Sequence, residues 1–139
     1  MARRRLLIMT LGVSLATLVG CGSESGDPVN GKAFALADVT GISALSDAPL
    51  RMEFTDGNVG ISGGCNQIGG AYELDGDTLV IEMMMQTEMA CEQSRMDQDT
   101  AIIELLRSRP TLEVEGSVLT VSSGDRVTTW DAVPPTKEN

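Results

Sequence analysis

Three cysteines, a run of methionines and two close pairs of carboxylates are the groups in this chain most able to do chemistry. Cys21, Cys65 and Cys91 offer thiols for acylation, disulfide formation, redox work or metal ligation. Met83, Met84, Met85, Met89 and Met96 offer thioethers, which can hold Cu(I). Asp75 with Asp77, and Asp97 with Asp99, offer the carboxylates that a hydrolase or a calcium site would need. Each group also has a plainer reading. Thioethers fill irregular gaps in a core, and this chain has only two Phe, one Tyr and one Trp to fill its own. Successive residues of a strand point to opposite faces, so Met83, Met84 and Met85 do not converge on one ion. Core packing is the expectation for them. Asp75 and Asp77 flank a turn glycine, and Asp97 and Asp99 stand at the start of a helix. Acids are favoured in both settings without any catalysis.

The absences are as telling. The chain has no histidine, which excludes Ser-His-Asp and Cys-His catalysis and the usual zinc sites. The glycine-rich stretch Gly57 to Gly70 lacks the lysine ending of a phosphate loop and reads as turns and bulges. The expectation is a non-enzyme with no catalytic residue, no metal and no cofactor.

The N-terminus gives an address. Arg3, Arg4 and Arg5 precede an apolar run from Leu6 to Val19, and Leu18-Val19-Gly20 leads into Cys21. That order is a secretion signal, and its last four residues resemble the lipobox of bacterial lipoproteins. The resemblance implies cleavage after Gly20 and a diacylglycerol, with its palmitate-type chains, on the Cys21 thiol. An apolar run of about 14 residues is short of the roughly 20 that a spanning helix needs, so a transmembrane segment and a plainly secreted protein are the weaker alternatives. Two acyl chains hold a protein stably where one does not. The arginine run also permits twin-arginine export. The expected place is outside the cytoplasm, anchored to the cell membrane or the outer membrane; Gly22 is not the Asp that would signal inner-membrane retention.

Whole-chain charge narrows the partners. Lys and Arg number 10 against 20 Asp and Glu. Loss of residues 1–20 takes three arginines and no acid, leaving seven basic residues against twenty acidic ones and a net charge of −13. Such a surface repels the phosphates of nucleic acid and of anionic lipid. It is a solvated face first, and second a surface able to dock a basic partner or collect cations.

The elements that must position these groups are mostly strands. Residues 21–30 are small and polar and read as a flexible tether, 31–132 as one domain, and 133–139 as a disordered tail. Within the domain, Phe34 and Leu36; Leu50, Met52 and Phe54; Val59 and Ile61; Tyr72 and Leu74; Leu79 and Ile81; Leu112 and Val114; Leu119 and Val121; and Val127 to Trp130 mark strands. Asp56-Gly57, Asp75-Gly76, Glu115-Gly116 and Ser123-Gly124-Asp125 mark hairpin turns between them. Met96 to Arg107 carries Ile102, Ile103, Leu105 and Leu106 at helical spacing, with Ser94 and Asp97 as a capping box and Pro110 as the stop. The fold class expected is α+β: a strongly twisted, barrel-like antiparallel sheet with one amphipathic helix packed on its concave face.

With Cys21 acylated, Cys65 and Cys91 remain as a pair in an oxidising compartment, and a structural disulfide is expected between them. A reactive or metal-binding pair and two unpaired thiols are the alternatives; the spacing is not Cys-x-x-Cys. Gly63-Gly64-Cys65-Asn66 with Gly69-Gly70-Ala71-Tyr72, followed by Thr87-Glu88-Met89-Ala90-Cys91, resembles the paired motifs of the META domain family, also called HslJ-like. The resemblance runs from about Gly31 to Trp130. It points to Gly64, Asn66, Thr87, Met89 and Ala90 as hallmark positions, with Glu88 and Gln67 where the family often carries arginine. It implies the same α+β fold and an envelope location, and it brings no shared reaction. The expected function is that of a lipid-anchored, monomeric structural or interaction module, joined to the membrane through Cys21 and to an unidentified envelope protein. The alternatives are a partial barrel that binds a small ligand and, less favoured, metal handling.

Overall fold

The structure is a computed structural model and describes residues 26–42 and 49–137. The signal segment and Cys21 lie outside the described residues. The described residues form ten strands, several of them on an alternation of apolar and polar residues: β1 (Ala33–Thr40), β2 (Arg51–Thr55), β3 (Asn58–Ser62), β4 (Ile68–Ala71), β5 (Glu73–Asp75), β6 (Thr78–Val80), β7 (Met85–Gln86), β8 (Thr111–Glu115), β9 (Val118–Ser123) and β10 (Arg126–Val133). They form one sheet in the order β5-β6-β8-β9-β10-β1-β2-β3-β4-β7, with every described pairing antiparallel. In β2, Met52 and Phe54 are buried while Arg51 and Glu53 are not. The same period of two puts Val59 and Ile61, Leu119 and Val121, and Thr128 and Trp130 inside.

Chain connectivity forces the sheet to curl. β4 and β5 stand near opposite ends of the strand order, yet only Tyr72 separates them in sequence. The two ends must therefore lie side by side, and the sheet is a half-barrel. Its longest pair, β1 with β10, carries a register shift between Leu36 and Asp38, the kind of irregularity that adds bend and twist. This is the α+β, barrel-like architecture that the sequence predicts.

The expected hairpins form with a small shift. Asp56 and Gly57 both have positive φ, as a two-residue type I′ turn requires. Asp75, Glu115 and Ser123 are the last residues of their strands rather than turn residues, since each pairs across a two-residue turn. Strand β4 departs from the expectation of turns: Gly69 and Gly70 pair with Gly60 and Val59. Here glycine answers a need for space. A Cβ on Gly70 would run into the Met83 carbonyl and the Ile81 side chain, so only glycine lets the segment after β6 cross this strand.

The helix α1 (Gln93–Arg107) begins three residues before the sequence reading. Its N-cap residue is Glu92, which makes no side-chain cap, so the Ser94–Asp97 capping box does not form. The Glu92 carbonyl instead receives Arg95 N–H at 3.0 Å and Met96 N–H at 3.3 Å. Ile102, Leu105 and Leu106 pack with Leu79, Leu119, Val121 and Trp130, all at most 1% exposed. Trp130 donates its indole N–H to the Thr128 hydroxyl at 2.8 Å, which satisfies its only polar atom.

The ends of the domain are tied more closely than the tether and tail assignments imply. Asp27 accepts the N–H groups of Val29 and Asn30 at 2.9 and 3.1 Å, and Val29 is fully buried. After β10, Thr136 donates N–H and O–H to the Glu53 carboxylate at 3.0 and 2.9 Å. Residues 27–30 and 134–136 thus hold to the body.

Asp27 also accepts the Tyr72 hydroxyl, beside an edge-on contact of Tyr72 with Phe54. Burial first, and then the Asp27 carboxylate, push the Tyr72 phenol well above its ordinary range. A raised folded-state pKa means stability that is complete below the unfolded tyrosine value of about 10 and is lost as pH climbs above it. Denaturant midpoints are expected to fall from pH 10 upward, and Tyr72→Phe is expected to flatten that fall. An unchanged slope in the variant would refute the assignment.

Candidate functional site

The hallmark residues meet in one place. The Gly63-Gly64 turn carries Cys65 and Asn66 off the end of β3, and the strap after β7 carries Thr87, Met89, Ala90 and Cys91 back past them. Cys65 and Cys91 form a disulfide with Cα atoms 5.8 Å apart, so the expected pairing holds. The bond fixes the strap where α1 begins.

Asn66 is the hub. Its Oδ1 accepts Met89 N–H at 2.8 Å and the Thr87 hydroxyl at 3.1 Å. Its Nδ2 donates to Asp99 Oδ2 at 3.2 Å. The Thr87 Oγ1 in turn accepts Gln67 N–H at 3.0 Å, and Gln67 O accepts Thr87 N–H at 3.0 Å. One asparagine side chain thereby bridges the strap, the turn and the helix.

Asp99 is the member that the sequence reading did not place here. It sits on α1 at 3% exposure. Its carboxylate accepts Asn66 N–H at 2.7 Å and Cys65 N–H at 3.3 Å in addition to the Asn66 amide. Backbone N–H groups that the turn cannot pair internally find their acceptor on the helix. The signal was present in the sequence: Asp99 lies three, four and seven residues before Ile102, Ile103 and Leu106, on the apolar stripe. An acid on such a stripe needs buried donors. Asp97, its supposed catalytic companion, is exposed and accepts from Gln93 Nε2 at 2.7 Å. The two carboxylates do not form a pair.

Gly64 is explained by the same contact. A Cβ there would overlap the Asp99 carboxylate and press on Leu50. Gly64→Ala is expected to destabilise the domain by about 2–3 kcal/mol, since an overpacked site must displace its neighbours. Urea denaturation measures this, and a loss under about 0.5 kcal/mol would show that the carboxylate moves aside freely.

The methionines correct the core expectation. Met83, Met85 and Met89 are 79%, 71% and 60% exposed. Only Met84 of the consecutive three packs against the core. Met85 belongs to the short edge strand β7, both of whose residues are exposed, and Met83 stands in the irregular segment that precedes it. Among the described residues, no group of three or more Asp, Glu, His or Cys side chains is placed to hold a metal ion.

Beside the knot runs an open groove of about 370 Å³, lined by Asn66, Thr87, Glu88, Met89, Met96 and Asp99 among others. Ala90 also lines it. The Thr87 hydroxyl and the Asn66 amide are occupied by each other, by the backbone N–H groups of Gln67 and Met89, and by the Asp99 carboxylate. The arrangement holds three chain segments together and sets no activated nucleophile beside a base.

A family model described as META domain matches residues 27–134. The fold is similar to an NMR structure of a protein from Burkholderia xenovorans, with a TM-score of 0.64, 16% identity and coverage of 77% of this chain and 85% of that one. A second NMR structure matches with a TM-score of 0.60, 22% identity and coverage of 73% and 88%. The crystal structure of a DUF4847 family protein from Bacteroides vulgatus matches with a TM-score of 0.58, 13% identity and coverage of 81% and 98%. No curated protein matches the chain.

Proposed function

The chain belongs to the META domain family, and on that premise we propose that it is a lipid-anchored, non-enzymatic interaction module working outside the cytoplasm. One observation carries the reading. The polar groups of the family hallmark are directed at one another: Asn66, Thr87 and Asp99 bond across the strap, the turn and the helix. A catalytic motif presents such groups to a substrate; this one presents them to the fold. The Cys65–Cys91 bond supports an oxidising compartment. The Arg3-Arg4-Arg5 start and Leu18-Val19-Gly20-Cys21 support cleavage before Cys21 and attachment through its thiol. Residues 1–20 then act as the signal, and the segment from Cys21 to Gly26 acts as the tether between lipid and domain. The partner is an envelope protein, met by the folded surface.

Two measurements on the full chain produced in a bacterial host test this. Intact mass of membrane-extracted material is expected to show loss of residues 1–20 and a gain matching a diacylglycerol on Cys21. Cys21→Ser is expected to abolish both. An unprocessed, unmodified chain in the membrane would contradict the anchor. Crosslinking in intact cells, read by mass spectrometry, is expected to join the domain reproducibly to one envelope protein; scattered products across many proteins would contradict the interaction role.

A further inference from the structure

We propose that Met83, Met85 and Met89 form a reversible oxidation site, where a peroxide turns each thioether into a sulfoxide and a thiol-dependent reductase turns it back. Such a site needs neither the lipid anchor nor the partner protein. Exposure selects these three. Their side chains are 79%, 71% and 60% exposed, whereas Met52 is 1% exposed and Met84 packs against the core. Met96 is half-buried. The three exposed thioethers also cluster in sequence, within residues 83–89, on β7 and its two flanks.

The other sulfur atoms leave them first in line. A thiolate would take the oxidant ahead of a thioether. Cys65 and Cys91 are joined to each other, so no free thiol stands among the described residues. In the forward step a sulfur lone pair attacks one oxygen of hydrogen peroxide. The S–O bond forms as the O–O bond breaks, and water leaves; sulfur gives up two electrons and the peroxide gains them. In the return step two thiols of the reductase supply two electrons and two protons, join as a disulfide, and the sulfoxide oxygen departs as water.

The backbone of this segment is held without using the sulfur atoms. The Met83 carbonyl lies against Gly70. Met85 pairs with Gly69 of β4. Met89 donates its N–H to Asn66 Oδ1 at 2.8 Å. Sulfoxides harm a protein when a polar oxygen is forced into a packed interior. Here the oxygens enter water. Oxidation therefore makes an apolar outer surface polar and spares the fold.

The probe is hydrogen peroxide, added to the full chain carrying Cys21→Ser so that no free thiol at Cys21 consumes it. Mass spectrometry of peptides over time gives a rate for each methionine, with N-acetylmethionine amide as the free reference. Met83, Met85 and Met89 are expected to react within about threefold of that reference. Met52 is expected to lag by about fiftyfold or more, since it meets the oxidant only when the core opens. The chain oxidised at the three positions is expected to keep its urea midpoint. Treatment with the two epimer-specific methionine sulfoxide reductases and a thiol is expected to restore the starting mass. Four results would each overturn the site: Met52 keeping pace, the three exposed methionines lagging the reference by more than about tenfold, a lowered urea midpoint after their oxidation, or sulfoxides that the reductases leave in place.

Discussion

Asp99→Ala is expected to lower stability by about 4 kcal/mol, the largest effect of any polar substitution in the chain. The reason lies in what is left behind. The Cys65 and Asn66 N–H groups are buried or half-buried and point at the missing carboxylate. A buried donor without an acceptor costs roughly 1–3 kcal/mol, and two are stranded here. The Asn66 amide also loses its donor's partner, which loosens its hold on Thr87 and Met89. In a domain of this size the loss corresponds to a fall in Tm of roughly 15–30 °C. Asp99→Asn keeps the volume and one acceptor oxygen, and is expected to recover about half of the deficit. A loss under about 1 kcal/mol in the alanine variant would mean that water replaces the carboxylate at no great cost.

Removing the disulfide by Cys65→Ser with Cys91→Ser is the second large effect. The bond closes a loop of 26 residues, for which the chain-entropy relation gives roughly 3–4 kcal/mol. That loop includes β4 to β7 and the whole strap. Its constraint acts on the unfolded chain, whereas the Asn66 bonds act on the folded one, so neither substitutes for the other. The double serine variant and the reduced wild-type chain are expected to unfold at closely similar urea concentrations. If reduction left the midpoint unmoved, the bond would be a surface feature and not a staple.

Both effects concern a site that was half legible beforehand. The pairing of Cys65 with Cys91 is legible in the sequence because reading Cys21 as the acylated residue leaves those two as a pair. The prominence of Gly64, Asn66, Thr87 and Met89 comes from resemblance, and the structure adds the contacts behind it, since all four surround Asp99 or Asn66. Asp99 itself escaped because a helix start at Met96 puts it in the first turn, where the helix dipole explains an acid; with α1 beginning at Gln93, neither Asp97 nor Asp99 is in the first turn. Only its place on the apolar stripe marked it as buried.

The fold shows the same division. Hairpins read correctly because turn residues act locally: Asp56-Gly57 fixes its own geometry. Strand β4 was invisible because Gly69 and Gly70 have no strand preference of their own; the crossing of the Met83 segment selects them, and that crossing is a long-range fact. The helix start at Gln93 escaped for a related reason. Its first turn is set by the disulfide-held chain before it rather than by a side-chain cap. The methionines misled because composition demanded core filler, while Trp130, Phe34 and Phe54 fill the interior and leave Met83, Met85 and Met89 outside.

The most direct test is a double-mutant cycle between Asn66→Ala and Asp99→Ala, read by urea denaturation with the disulfide intact. If the hallmark is a structural knot, the two residues act as one unit, and their effects are expected to fall short of additivity by at least about 1 kcal/mol. Strict additivity, with Asn66→Ala costing less than about 0.5 kcal/mol on its own, would contradict this and leave Asn66 free for some task other than holding the fold.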